Sequence, residues 1–326
     1  MTSRVAFITG SSGFIGNHLV STLLDAGWKV KILVHKNVPE RAAECEVIHG
    51  DIEDFQMLLR ELKGVDTVFH LAAALGGSMV KQAEFFRVNS HGTVTILEAA
   101  GAAKVKNFIH FSSAGVLGHI EENEAADEKH PLFPVGDYDN SKLLGENAAL
   151  EFVDKGQRVV VVRPGWVYGP GDRRTFKLIR GVAKGRFLLV SRGETKQTPV
   201  HIDDLIAGTL QVLERGRSGE IYHLAGNEVL SVREMADTIG AAVGKNIPRV
   251  RLPLFIAQAA AWFLGGLFRL FGKEAPITKG RLAFFVHPKP LAINKARKEL
   301  DYAPRFDFRS GMEDTVAWCR ANGWLK

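Results

Sequence analysis

At 326 residues the chain is long enough for two structural units, and 46% hydrophobic against 24% charged residues is the balance of a soluble globular protein rather than a disordered one. Its net charge of +6 raises nucleic-acid binding, but the cations sit in short runs such as Arg173-Arg174 with no aromatic-interleaved basic stripe, so no nucleic-acid partner is expected. Two distant cysteines, Cys45 and Cys319, without CxxC or His-rich neighbours, argue against a disulfide framework and a zinc site, and no metal is expected.

The N-terminus opens directly into a short apolar run and lacks the features of a secretory signal, so the cytoplasm is the default location. Residues 5–9 predict a first strand. Residues 14–26 predict a helix with Phe14, Ile15, Leu19, Val20, Leu23 and Leu24 at apolar positions and Gly27 as its stop. Further strands are expected at 29–35, 47–49, 67–71, 108–112 and 159–163, with a long helix around 83–100 and another from Tyr138 to about Val153. Short β-branched strands alternating with longer helices mark βαβ units and a doubly wound parallel sheet. After Gly169-Pro170-Gly171 the strands thin out. Asp203-Asp204 open a helix over 205–215, residues 221–224 read as a strand returning to the main sheet, and Ser231-Val232-Arg233-Glu234 is a capping box starting a helix over 232–243. A nucleotide-binding unit is therefore placed at 1–170 and a smaller mixed α/β substrate lobe at 171–326, with about 200–225 rejoining the sheet.

Residues 254–271 are apolar over 18 positions apart from Gln258, a glycine pair and Arg269. The interior charge counts against a membrane span. Two readings stay open: a helix covering a substrate pocket, or a helix making peripheral contact with a membrane surface.

Between the first strand and the first helix stands Thr9-Gly10-Ser11-Ser12-Gly13-Phe14-Ile15-Gly16. In that position one glycine permits a tight turn, the next lets backbone approach a pyrophosphate, and the last lets helix pack on strand. The uncovered N–H groups of the helix N-terminus then face the phosphates. At the tip of the second strand a carboxylate would accept the ribose hydroxyls of NAD, whereas a cation accommodates the extra phosphate of NADP. The chain has His35 and Lys36 there and no acid before Glu40, which favours NADP(H), with NAD(H) the alternative if both are solvated loop residues.

Of four tyrosines only Tyr138 has a lysine four positions on, Lys142, which places the two on one helical face. An ammonium beside a phenol favours the phenolate and brings it towards useful acid–base range. Upstream, the strand over 108–112 ends in Ser112-Ser113, and the C-terminal end of a parallel strand is where ligands bind in this architecture.

These motifs resemble the extended short-chain dehydrogenases/reductases, the NAD(P)-dependent epimerase/dehydratase superfamily, whose glycine signature has the Thr-Gly-x-x-Gly-x-x-Gly spacing. The resemblance implies a Rossmann fold and a Ser113, Tyr138 and Lys142 catalytic set. It implies dinucleotide contacts from Gly10, Ser12, Gly13, Phe14 and Ile15, from Asp51 and Ile52 beside the adenine, and from Leu71, Ala72 and Ala73 at a strand end. Lys142 on the ribose and Pro164 and Val167 over the nicotinamide complete that set, and Asn89 falls where the family carries a sheet-supporting asparagine. Relatives often pair through the Tyr138 helix and the long helix before it, which implies a homodimer with Ala148, Ala149 and Leu150 at the contact.

Three departures lead away from nucleotide sugars. Trp166 stands where sugar enzymes usually have Asn, Val116-Leu117-Gly118 replaces Val-Tyr-Gly, and Ala114-Gly115 replace the Asp-Glu pair of the dehydratases. The chain looks nearest to the dihydroflavonol reductase and 3β-hydroxysteroid dehydrogenase branch, a ketone–alcohol oxidoreductase for a fairly apolar small molecule. Trp166, Phe176 and the spare hydroxyl Ser112 are the candidate substrate contacts. A nucleotide-sugar epimerase or dehydratase, and a non-catalytic regulatory protein that binds NAD(P), are the competing readings.

Overall fold

The computed structural model describes residues 4–75, 80–121, 124–247, 251–270 and 279–325. Near-continuous apolar strands need cover on both faces, and the chain supplies it with helices between them. The strands β1 (Val5–Thr9), β2 (Lys29–Val34), β3 (Glu46–His49), β4 (Thr67–His70), β5 (Asn107–Phe111) and β6 (Arg158–Pro164) belong to one sheet. Four short strands follow outside it: β7 (Trp166–Tyr168), β8 (Leu189–Val190), β9 (Lys196–Gln197) and β10 (Pro199–His201). Then β11 (Ile221–Leu224) returns to pair with β6. The sheet has seven strands in the order β11-β6-β5-β4-β1-β2-β3, every pair parallel. Strand order reverses between β1 and β4, and that switch point opens the crevice where such sheets take ligands.

The helices α1 (Phe14–Asp25), α2 (Phe55–Glu61), α3 (Gln82–Phe86), α4 (Gly92–Ala102) and α5 (Asp137–Asp154) connect the strands of the sheet's first six. After β7 come α6 (Arg173–Ala183), α7 (Ile202–Arg215) and α8 (Val232–Val243). The chain ends with α9 (Leu254–Leu270), α10 (Lys279–Val286), α11 (Asn294–Leu300) and α12 (Phe308–Ala321). One core lies between the sheet and α1 and α7, around Leu19, Leu23, Ile32, Val162 and Leu205. A second lies on the other face against α2, α4 and α5, around Leu58, Ile96, Phe108 and Phe152. A third holds β7, α6, α8 and α12 together through Tyr168, Ile179, Met235, Phe308 and Met312. Two strands, β12 (Leu230–Ser231) on β9 and β13 (Arg251–Leu252) on β8, finish this lobe.

The expected capping box at Ser231 and Glu234 is present in full. The helix expected over 83–100 is instead divided: α3 ends at Phe86, a π-turn spans Arg87–His91, and α4 begins at Gly92. Such an inserted residue leaves the 3.6-residue pattern readable while turning one stretch out of register, and here the stretch carries Asn89 to the head of the sheet.

Helix α5 is fastened to the sheet by charge. Arg163 on β6 and Glu146 on α5 are each 1% exposed, and the guanidinium makes two parallel bonds to the carboxylate, Nε to Oε2 at 3.0 Å and Nη2 to Oε1. Removing one partner leaves the other charge buried alone, which costs about 3–5 kcal/mol. Arg163→Met is therefore expected to lower the urea midpoint of unfolding by that much stability, whereas the double variant Arg163→Met/Glu146→Leu recovers most of it. Equal losses in the two variants would contradict this account.

Candidate active site

The glycine turn is held by sterics that admit no side chain. Gly10 has φ +69°, and a Cβ there would stand 2.6 Å from the carbonyl carbon of Leu71 at the end of β4. A Cβ at Gly16 would collide with Gly10 O and come 2.8 Å from Ser11 Cα. Gly13 is the N-cap of α1 and closes the turn through its N–H to Gly10 O at 3.0 Å. No side chain caps this helix and no acid stands in its first turn, so its leading N–H groups are available to an anion. Ser12 and Gly13 are exposed, and Phe14 and Ile15 half-buried. The buried Ser11 Oγ has no hydrogen-bond partner among the described residues. Uncapped donors, an orphaned hydroxyl and a cradle that a Cβ would fill suit a dinucleotide pyrophosphate.

From this turn a chain of hydrogen bonds runs through the sheet to α5. Thr9 Oγ1 accepts the Ala72 N–H at 3.1 Å and lies 2.8 Å from His70 Nδ1. His70 Nε2 is 2.9 Å from Thr93 Oγ1, whose own proton goes to Asn89 O at 2.8 Å. Thr93 must then accept from Nε2–H, and Thr9 must donate to Nδ1, so the network assigns a neutral Nε2–H tautomer. Burial pushes His70 down to about 3, with the nearby Lys142 charge adding to the fall. Asn89, fully buried, accepts from Ala74 N–H at 2.7 Å and donates to Ala74 O at 3.2 Å and to Ser141 Oγ at 2.9 Å. Ser141 in turn donates to Tyr138 O at 2.7 Å. Asn89 thus bolts the loop after β4, carrying Ala72 and Ala73, to the first turn of α5.

Helix α5 presents Tyr138 and Lys142 at the end of β5. The Tyr138 phenol packs edge-on against Phe85, with ring centroids 6.2 Å apart, and Ser113 stands at the end of β5 as the N-cap of the short turn that follows. Ser113 Oγ accepts Gly115 N–H at 3.0 Å, which leaves its own proton to give. Ser112 points inward, 6% exposed, with no partner for its Oγ among the described residues. Lys142 is 2% exposed, and its ammonium donates to Phe111 O at 2.6 Å. Burial pulls that ammonium down to about 8, opposed by Glu146. The phenol moves the other way from the sequence expectation. Burial pushes Tyr138 up to about 12 and Asp139 adds to the rise, while Arg174 and Ser113 pull it back. Desolvation outweighs the cations because the Lys142 ammonium is turned to the backbone.

The other expected contacts are distributed as follows. His35, with a side chain 61% exposed, and exposed Lys36 stand at the tip of β2. Asp51 is bound by Arg87 Nη1 at 3.0 and 3.1 Å and lies 3.9 Å from His35 Nε2. Ile52 is 7% exposed and wedged against Gly92. Pro164 ends β6, and Val167 is buried in the main core. Trp166 stacks on Tyr168 at 5.9 Å and meets Phe284 and Phe308, whereas Phe176 packs on Trp324 in a separate aromatic group. Sequence reasoning missed His70, Thr93, Ser141, Arg87 and His18, whose Nε2 is 2.9 Å from Pro170 O and ties α1 to the loop after β7. Only Ser141, adjacent to Lys142, carried a local signal.

A parallel sheet with this glycine turn and this Ser-Tyr-Lys placement defines an NAD(P)-dependent enzyme class. The profile of the NAD dependent epimerase/dehydratase family matches residues 6–225, and the chain belongs to that family. It is 31% identical over 94% of both chains to a 4-hydroxy-2-methyl-3-oxo-4-farnesyl-3,4-dihydroquinoline-1-oxide ketoreductase of Stigmatella aurantiaca. It is 29% identical to a 3 beta-hydroxysteroid dehydrogenase/Delta 5-->4-isomerase of Mycobacterium tuberculosis, over 95% of this chain and 89% of that one. Among solved structures, DesIV, a dTDP-glucose 4,6-dehydratase from Streptomyces venezuelae with NAD and TYD bound, superposes with TM-score 0.81 at 27% identity, covering 99% of each chain.

His70 gives a signed test. Its folded pKa of about 3 lies below the ordinary 6.5, so between those values the unfolded chain binds a proton that the fold refuses. Stability therefore falls as pH drops from 6.5 towards 3, by about 1.4 kcal/mol per pH unit for this one group. His70→Gln keeps a donor and an acceptor but does not titrate. Chemical denaturation at a series of pH values should show that slope reduced by one proton's worth. An unchanged slope would mean that His70 is not buried neutral.

Proposed function

We propose that this protein interconverts a ketone and a secondary alcohol on an apolar substrate of steroid-, sterol- or flavonoid-like character, using NADP(H) in preference to NAD(H). The observation that carries this reading is the gathering of Ser113, Tyr138 and the buried Lys142 ammonium at the end of β5, with Ala114 and Gly115 bringing no carboxylate of their own. Ser113 orients the carbonyl oxygen by donating a hydrogen bond. Tyr138, protonated at neutral pH, gives its proton to that oxygen in reduction, and takes one from the alcohol in oxidation. Lys142 holds a positive charge beneath the site and offers a hydrogen bond to the ribose. The bound nicotinamide supplies or accepts the hydride. Gly10, Ser12, Gly13, Phe14 and Ile15 would hold the pyrophosphate, with Asp51 and Ile52 on the adenine side and Leu71, Ala72, Ala73, Pro164 and Val167 along the nicotinamide half.

Support for an apolar substrate comes from the partly buried Trp166 beside Tyr168, Phe284 and Phe308, and from the farnesylated quinoline and the hydroxysteroid named in two relatives. Support for NADP(H) is the exposed His35 and Lys36 at the β2 tip. Dimerisation we assign to the outer faces of α4 and α5, where Leu144 is 47% exposed while Ala149 lies in the protein's own core.

The test is a titration with NADPH and NADH followed by nicotinamide fluorescence, then a ketone screen by NADPH consumption. NADPH is expected to bind at least about tenfold more tightly, or about 1.4 kcal/mol, with Lys36→Asp erasing the difference. Tyr138→Phe should leave binding intact and cut turnover by about 10²–10⁴-fold. Stabilisation by UDP-sugars without ketone turnover would replace this reading with sugar epimerisation. Cellular function surviving Tyr138→Phe would favour a regulatory role.

A peripheral membrane contact through α9 is part of the proposal. No helix among the described residues is long and apolar enough to cross a membrane. Yet α9 buries Ala257 and Ala261 and turns Phe255, Ile256, Trp262 and Phe263 outward at 71, 43, 74 and 63% exposure. No acid occurs between Asp237 and Glu274, while Lys245, Arg249, Arg251, Arg269 and Lys273 do, a pairing that suits an anionic lipid interface. The protein is expected to sediment with vesicles of phosphatidylcholine and phosphatidylglycerol, and Trp262→Glu/Phe263→Glu to stay in the supernatant. Equal sedimentation of the two would remove α9 from the membrane.

A further inference from the structure

Next to Tyr138 and Ser113 lies a cluster of charge that the catalytic scheme does not use. A Cβ at Gly115 would fall on Oδ1 of Asp139 and would stand 3.1 Å from Ser113 Oγ. The carboxylate of the residue after Tyr138 therefore occupies the space that a side chain at 115 would take, against the end of the catalytic strand. To the carbonyls of Gly115 and its neighbour Ala114 comes Lys289, carried by the segment after α10. That segment is fixed to the lobe by the Lys289 N–H to Lys196 O at 2.8 Å, by Gln197 Nε2 to His287 O at 3.1 Å, and by the Leu291 N–H to Thr198 Oγ1 at 2.8 Å. The Lys289 ammonium reaches Gly115 O and Ala114 O only at 3.4 and 3.5 Å, so backbone carbonyls alone hold it weakly.

We propose that Asp139 and Lys289, gathered at the end of β5 by the C-terminal segment, act as opposed charges on the Tyr138 phenol and set how readily it gives up its proton. The proposal deepens the ketone-reductase reading and rests on it for direction: a site that must give a proton to a carbonyl needs a neutral phenol. Asp139 supplies the negative charge beside that phenol, and Lys289 limits how strongly it acts. Both groups are half-buried, which strengthens each interaction relative to open solvent. Burial raises the Asp139 carboxyl, while Lys289 and His287 hold it down. Burial likewise lowers Lys289, and Asp139 opposes this. The charged and titratable groups around the phenol are Asp139 and Lys142 on α5 and Arg174 at the start of α6. Lys289 and His287 come from the C-terminal segment, and His119, on the loop after Leu117, has its ring 6.4 Å from that of His287. Asp139 and Lys289 are positioning residues, since neither is placed on the reacting oxygen.

The two charges make opposite predictions. Asp139→Asn removes the charge and keeps the shape, so the alkaline limb of ketone reduction should move down by about one pH unit. Lys289→Met leaves Asp139 unopposed and should move that limb up, and the double variant should return it close to the starting point. Asp139→Glu should restore the limb that Asp139→Asn displaces. Rates would be read with 9,10-phenanthrenequinone and NADPH. A second readout needs no substrate: ¹³C-tyrosine NMR of the intact protein, with Tyr138 assigned from Tyr138→Phe, should show phenolate at lower pH in Asp139→Asn than in the unaltered chain. A merely structural role would move both single variants the same way or neither, and that result overturns the proposal. If the quinone is not reduced, the reductase reading suffers and the NMR titration alone decides the role of the two charges. An unmoved Tyr138 signal overturns that role even where reduction proceeds.

Discussion

A neutral imidazole sealed inside the sheet is the constraint on which the site depends. His70 is satisfied on both ring nitrogens, and its tautomer is set by hydroxyls whose other bonds are already committed. That single arrangement locates Thr9 at the mouth of the glycine turn and Asn89 under the first turn of α5. The glycine turn and the start of α5 come from sequence positions about 130 residues apart, so propensity alone cannot align them. A buried network with every member paired is rigid because any shift would strand a polar group at a cost of about 1–3 kcal/mol. His110 lies alongside, with ring centroids 5.4 Å from His70 and no partner for either nitrogen among the described residues. We have no physical account of that histidine.

Charge organises the other side of α5. Lys142 lies at the strand end, and Glu146, one turn further on, takes the Arg163 guanidinium from β6. The helix is thereby pinned at two heights, by hydrogen bonds near Tyr138 and by an ion pair beyond Lys142. Buried pairs of this kind add little net stability relative to apolar packing, but they admit few alternative arrangements. The proton transfer proposed for Tyr138 needs that selectivity more than it needs stability, since it requires heavy atoms held about 2.6–3.2 Å apart.

The segments most legible in the sequence were those where local sterics and periodicity leave one solution. The glycine turn, the alternating strands and helices, the Ser231 capping box and the spacing of Tyr138 and Lys142 are all properties of short windows. The long helix over 83–100 was legible as helix, but its π-turn was not, because the reason for it is Asn89 reaching Ala74 and Ser141 elsewhere in the chain. Likewise the resemblance set Asp51 beside the adenine, but nothing local announced the Arg87 guanidinium that binds it from 36 residues away. The Tyr138 phenol illustrates the same limit. Its lysine neighbour predicted a fall, and burial together with Asp139 produced a rise.

By itself, then, the sequence determined the family, the parallel sheet, the glycine turn and the placing of Tyr138 and Lys142 on one helical face, because glycine geometry and helical spacing act over a few residues. Tertiary structure alone decided which acids and bases surround those residues. It brought Arg163 to Glu146, His70 to Thr9 and Thr93, and Lys289 from the C-terminal segment to the end of β5. Electrostatic environment and desolvation depend on what packs close in space, and groups from 17 to 175 residues apart leave no mark of their meeting in the chain.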